Sequence, residues 1–481
     1  MTPRICCLLV LIFGLLLAGR VVAAQSDETI PGVWTEPQLQ FEDRNGFSRI
    51  DYMIADPAGS VHVFWSHNPH SPYAENGEYD DTDTAIFYQR WIDGRGDLPR
   101  DILLRSQARL PFGAAIDRDG TMHVASVFGG PPCVGYVRIR VEEIGEARSW
   151  PSPVCLALSG VGNPDLAVGP SGDVYITYVD SDQEAVVILK SVDGGERWSN
   201  LTTIAENSDP ETLFGYPRLV VDSQERLHVV WGALDAPDGY PWQSILYARS
   251  TDAGASWSPP ILLADAHQGE PNLAVDNDKV HVVWNGDAGY QGRYCRVSSD
   301  GGESWSQRIT LPLPITSGGL QGAPAIVVDS TGTVHILYTD SPRLYYITQR
   351  GGVWSRPSQI AGPENTRSTR EINYPMLAIT EGNQLHATYT RDAQAVYYQQ
   401  RRVDAPPQPA RAFSTQATAA PIEITSPMPE PEQSTPVPAW LLTEGSASSL
   451  SSAFSALAVS ALLVLLLVIG VLIAFAKGLR R

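Results

Sequence analysis

The chain has 481 residues, 43% of them hydrophobic and 18% charged, and a formal net charge of −19. That charge argues against nucleic acid as a partner, because an acidic surface repels a polyanion. The length holds one large repeat domain or two to three ordinary ones, and the abundance of Gly (41), Pro (37), Trp (12) and Tyr (19) fits an all-β fold with many tight turns.

Residues 1–24 read as a secretory signal peptide. Arg4 gives the basic start, residues 5–17 the apolar core, and Val22-Ala23-Ala24 a small-residue cleavage site. Cys6 and Cys7 leave with it, so Cys133, Cys155 and Cys295 meet an oxidising exterior. Cys133 and Cys155 flank one expected hairpin, and both a disulfide between them and buried free thiols stay open. No Cys or His spacing matches a metal site, and no cofactor is expected.

Residues 25–403 are built from a repeat. The clearest copies are "GNPDLAVGPSGDVYITY", "GYPRLVVDSQERLHVVW", "GEPNLAVDNDKVHVVW", "GAPAIVVDSTGTVHILY" and "NYPMLAITEGNQLHATY". Weaker ones are "IDYMIADPAGSVHVFW" and "LPFGAAIDRDGTMHVAS". His62, His123, Tyr175, His228, His281, His335 and His386 share one position, 51 to 61 residues apart. Their recurrence marks a packing register in seven units, not a metal cluster. Within a unit, an apolar run, a turn of the Asp-x-x-Gly kind and an alternating run predict a hairpin. A third strand follows, then a fourth opened by Trp-Ser-x-Pro. Four antiparallel strands repeated radially make a β-propeller, with seven blades expected and six as the alternative. The seventh unit lacks its fourth strand, and "WTEPQLQ" (34–40) at the N-terminus supplies one, which would close the ring without an open edge.

Residues 404–452, rich in Pro, Ser and Thr, predict an extended stalk. The apolar run 453–476 is long enough for a transmembrane helix, and the basic residues in 477–481 place that tail in the cytoplasm. The expected topology is single-pass type I at the cell membrane, with the propeller extracellular.

A second pattern, Ser-x-Asp-x-Gly-x-x-Trp, occurs three times: Ser191, Asp193, Gly195, Trp198; Ser250, Asp252, Gly254, Trp257; and Ser298, Asp300, Gly302, Trp305. It falls between third and fourth strands. There Gly permits a positive φ, Asp accepts amide hydrogen bonds, and Trp lays a ring between neighbouring sheets. These roles are architectural. The pattern resembles the Asp-box or BNR-repeat propellers of the sialidase superfamily, over 34–402. That resemblance implies three Arg holding a carboxylate, a Tyr nucleophile polarised by Glu, and an Asp acid/base. Sialidase propellers have six blades, from which seven departs, and "FSRID" around Arg49 departs from their Phe/Tyr-Arg-Ile-Pro signature. The catalytic candidates are Arg49, Arg218, Arg343, Arg370, Glu371 and Tyr374. Long loops on the same face add Asp81, Asp83, Asp235, Asp238, Tyr240, Trp242, Asp287 and Tyr290 as ligand-binding candidates, because carboxylates beside aromatic rings suit sugars and protein partners alike. The expected function is recognition of a glycan or protein ligand at the cell surface. The alternative is an exo-sialidase.

Overall fold

The computed structural model describes residues 32–413, apart from 71–83, 104–108, 129–132, 146–148, 158–160, 181–183, 200, 210, 236–241, 266–268, 287–291, 313–321 and 364–370. The chain divides into two units, Met1–Ile424 and Thr425–Arg481, and all described residues belong to the first. The expected signal peptide, most of the stalk, the apolar run 453–476 and the basic tail lie outside them. Among the described residues no helix is long and apolar enough to cross a membrane.

The strands form seven antiparallel sheets, one per repeat. Blade 1 comprises Phe47–Ala55, Val61–Asn68 and Ala85–Ile92, with an outer strand in two pieces, Arg95–Gly96 and Arg100–Leu103. The innermost strands of blades 2 to 6 are Arg109–Ile116, Val161–Val168, Thr212–Val221, Asn272–Asp276 and Ala325–Val328. Blade 7 joins Ile372–Thr380, Gln384–Arg391 and Ala395–Arg402 to the N-terminal strand Gln38–Glu42. Inner strands touch in succession around the ring, and that of blade 7 meets that of blade 1. Seven blades are therefore present, which removes the six-blade alternative.

The N-terminal strand starts later than residue 34. Pro37 has no N–H to give, and ladder pairing begins after it, at Gln38 opposite Tyr398. Ahead of Pro37 the chain still follows the last strand, with Gly32 N–H donating to Arg402 O (2.8 Å) and Thr35 N–H to Gln400 O (2.9 Å).

Second strands are buried along almost their whole length, as in Val61–Asn68 and Val174–Asp180, because both faces of every blade are covered by neighbours. The apolar core is correspondingly seven clusters, one at each junction between blades. Five of the six repeated His are fixed within their own blades. Nδ1 of His62, His123, His228 and His335 hydrogen-bonds a third-strand Tyr hydroxyl at 2.6–2.7 Å. Their Nε2 atoms lie 3.0–3.4 Å from Asp56, Asp117, Asp222 and Asp329 in the preceding turns. His386 does the same with Tyr398 and Thr380.

The Asp-motif loops interlock with these units. In each, the Ser hydroxyl donates to the Asp carboxylate (2.7–2.9 Å) and accepts from the Gly amide (2.8–2.9 Å). Trp198 and Trp305 set their rings edge-on to Tyr136 and Tyr247 of the preceding blade, with centroids 4.9 and 4.8 Å apart. All three motif Trp are half-buried, at the rim of the junction rather than inside it.

Residues 404–413, expected to open the stalk, lie against the propeller. Ser330 Oγ donates to Pro406 O (2.6 Å), Gln408 N–H to Glu381 O (2.7 Å) and Arg411 N–H to Pro57 O (2.7 Å), and Phe413 packs on the cluster between blades 1 and 2. This strap crosses from blade 6 over blade 7 to blades 1 and 2. Cys133, Cys155 and Cys295 are free thiols, and those of Cys133 and Cys155 are within hydrogen-bonding reach on neighbouring strands.

Candidate functional site at the channel mouth

Antiparallel pairing assigns each loop to a face. Turns joining first to second strands, and the Asp motifs joining third to fourth, share one face of the ring. The beginnings of the inner strands and the second-to-third turns share the other. Inner strands line the channel, so their first residues define its mouth.

A repeated backbone irregularity shapes this mouth. Register shifts fall between Gly162 and Asp165, Gly215 and Arg218, and Asn373 and Met376. Each contains a residue with positive φ followed by proline: Asn163 (+49°), Tyr216 (+54°) and Tyr374 (+51°). A bulky side chain in that region of φ is uncommon, and such strain and bulges concentrate where a side chain must be re-aimed. Blade 1 has its own shift, between Ile50 and Tyr52, which leaves Asp51 unpaired in the ladder.

Groups from four blades meet at Arg49. Its guanidinium lies 4.9 Å from the Tyr374 ring centroid and its Nε 3.9 Å from Asp51 Oδ1. Burial alone would lower the Arg49 pKa, but Asp51, Tyr374, Glu270 and Tyr216 together hold it above its ordinary value. Tyr216 sits among Glu270, Arg49 and Arg218. Burial and Glu270 raise its pKa, and the two guanidinium groups oppose them. Among the described residues, neither Arg218 nor Glu270 has a side-chain hydrogen bond or ion pair, so both can take an incoming ligand.

Two further carboxylates flank this group, and they differ. Asp165 is fully satisfied: the Tyr52 hydroxyl (2.9 Å) and Leu166 N–H (3.0 Å) donate to Oδ1, and Leu219 N–H (2.8 Å) to Oδ2. It ties blades 1, 3 and 4 together, and the Arg218 charge acts on it. Asp51 has a fully buried side chain, and neither oxygen has a hydrogen bond of good geometry. Burial pushes its pKa up to about 7, with Arg49 and Ser66 opposing.

Of the residues expected from the sequence, Arg49, Arg218 and Tyr374 come together here. Arg343 does not. Its Nε donates to Pro363 O (3.3 Å) and it acts on Tyr345, so it serves the second-to-third turn of blade 6. Glu371 is exposed, and its amide donates to Asp392 Oδ1 (2.9 Å), so the carboxylate at the Arg–Tyr cluster is Glu270 instead. Asp235 accepts from Gln243 Nε2 (2.5 Å) within its own hairpin. Arg370, Asp81, Asp83, Asp238, Tyr240, Asp287 and Tyr290 lie outside the described residues, and for Trp242 only the backbone is described. Tyr216, Glu270 and Asp51 were not singled out by sequence. Their signal was available for the first two, which occupy the pre-proline position of the aligned repeats "GYP" and "GEP".

No protein-family model matches the chain, and no curated protein matches it significantly. Solved structures do. An ulvan lyase of a new polysaccharide lyase family is 10% identical, with 73% of this chain and 93% of that one covered and a TM-score of 0.50. A protein of unknown function from Dyadobacter fermentans is 13% identical over 78% of this chain and 100% of that one, with a TM-score of 0.49. A Hadza microbial sialidase is 14% identical over 66% and 73%, with a TM-score of 0.42. At these identities the likeness concerns the fold alone.

Proposed function

We propose that this is a membrane-anchored extracellular propeller, closed by its N-terminal strand, that recognises glycans bearing a carboxylate at its channel mouth. The observation that carries the reading is the convergence of Arg49, Arg218, Tyr216, Tyr374 and Glu270 from blades 1, 4, 5 and 7. Two guanidinium groups match a carboxylate, phenol rings offer faces to a sugar ring, and a free carboxylate accepts its hydroxyls. The signal-like N-terminus, the apolar run 453–476 and the basic tail support the anchored topology. Glycan-array binding by the full-length protein in detergent tests the reading. Retention of carboxylated glycans, lost in Arg49→Ala and Arg218→Ala, supports it; retention unaffected by both variants, or none at all, rejects it.

One observation favours hydrolysis as a second reading. Tyr216 lies near Glu270 and two Arg, the groups from which a tyrosine nucleophile with a carboxylate base would be built, and burial raises Asp51 to about 7, in the range of an acid/base. Only two Arg converge among the described residues, which leaves binding the better supported reading. Turnover of a fluorogenic sialoside that Tyr216→Phe abolishes would replace it with an exo-sialidase.

A further inference from the structure

Among the described residues, Asp51 is the one carboxylate at the channel mouth with a fully buried side chain and no hydrogen bond of good geometry to either oxygen. Its partner charge is poorly placed. Arg49 Nε stands 3.9 Å away, beyond hydrogen-bonding distance, and has no hydrogen bond itself. The guanidinium is shared with Tyr374 from blade 7 and with Tyr216 and Glu270 from blades 4 and 5. From the paired strand of blade 1, Ser66 faces the carboxyl, and His67 further along is occupied by Ser48 (3.0 Å) and Asp43 (3.2 Å). On the same inner strand Tyr52 is committed to Asp165, which also faces Arg218. Among the described residues, Arg49 is therefore the only charge that favours an ionised Asp51.

Resting on the reading of this mouth as a carboxylate site, we infer that the ligand's carboxylate is taken up together with a proton, which is received by Asp51. A carboxylate that pairs with Arg49 neutralises the charge holding Asp51 ionised and brings a second anion beside it. A buried carboxyl whose guanidinium is taken up by a second anion placed beside it is shifted toward its neutral form. The balance is one ligand anion plus one solvent proton in, with Asp51 going from carboxylate to carboxylic acid. No bond of the ligand is made or broken. Because the acid begins to titrate near neutral pH in the free protein, the coupling falls in the range where it can be measured.

The test uses the full-length protein in detergent, titrated calorimetrically with N-acetylneuraminate and with glucuronate, glucose serving as the uncharged control. Binding is expected to be about tenfold tighter at pH 6 than at pH 8, with up to about one proton taken up per ligand at pH 8, read from two buffers of different ionisation enthalpy. Asp51→Asn should bind with a flat pH profile and no proton uptake. Glu270→Gln, which removes the other carboxylate near Arg49, should change affinity but keep the slope. Equal slopes in wild type and Asp51→Asn, or a slope lost in Glu270→Gln instead, would overturn the coupling while leaving the carboxylate site standing. No binding of either acid at any pH would overturn both.

Discussion

Gly302 carries a φ of +86° and lies against the Tyr247 hydroxyl of the preceding blade, where a methyl group would overlap that oxygen. The same hydroxyl bonds His228 at 2.7 Å. Gly302→Ala therefore costs twice, once in backbone strain and once in a displaced buried hydrogen bond, and should destabilise by about 2–4 kcal/mol in urea unfolding. Gly352 has an equally positive φ (+85°) but open space around it, so Gly352→Ala should cost only about 1 kcal/mol. Equal losses would show that strain alone acts. The motif's role was legible in the sequence because Ser, Asp and Gly act within one turn. Its contact with the preceding blade was not, since nothing in "SSDGGESW" names Tyr247. Asp51 makes a second prediction at this scale. Its folded pKa, raised by burial to about 7, lies above its unfolded value. Between about pH 4 and 7 the folded chain binds more protons, so Asp51 favours folding at low pH and opposes it as pH rises through 7. Asp51→Asn should stabilise the protein at pH 8 and leave it nearly unchanged at pH 4; a gain that is the same at both pH values contradicts this.

The blades themselves were readable because each strand is short, apolar and bounded by turn residues at a fixed period. Bulges were harder to see. "GYPRLVV" does not announce that Tyr216 turns to positive φ, because proline before or within an edge strand has several outcomes, and without the bulge Glu270 and Tyr216 had no reason to be grouped with Arg49. The elements at the ring's seam were half legible. The missing fourth strand of the last repeat pointed to the N-terminus, whereas the composition of 404–413 pointed to a spacer and hid the strap. Both are testable. Deleting Gln38–Glu42 leaves the last strand, Ala395–Arg402, without its partner, and the unpaired outer edge of blade 7 should bring aggregation and a large drop in melting temperature. Ending the chain after Phe413 should leave stability of the propeller intact, while ending it after Val403 removes the hydrogen bonds to Ser330, Glu381 and Pro57 and the packing of Phe413. A difference of about 3 kcal/mol between the two truncations is expected. Identical melting of both would make the strap a passive segment.

Across the whole molecule, buried imidazoles set the response to acid. Burial holds His386 down to about 3 and His281 down to about 4, and lowers His62 and His67 as well. In the unfolded chain these rings take a proton near pH 6.5. Below that pH the unfolded state binds more protons, so the stability they contribute is complete above about 6.5 and is lost as pH falls toward 4 and 3. Asp51, Asp97 and Asp165, whose carboxyls burial raises, work in the opposite direction over part of the same range. The four rings each add to the loss of stability between pH 7 and pH 4, and the raised carboxyls offset part of it. One blade makes the cause separable. In blade 5, Cys295 stands where other blades place the Tyr that bonds His, and His281 Nε2 has no hydrogen bond. His281→Gln should for that reason fold normally at pH 7.5, since no His–Tyr bond is broken. Urea unfolding at pH 7.5 and pH 4.5 should show a smaller acid loss for this variant than for the wild type. If the loss is unchanged, and also unchanged in His386→Gln, acid lability does not arise from the repeated histidines and must come from the carboxylates that pair across blades.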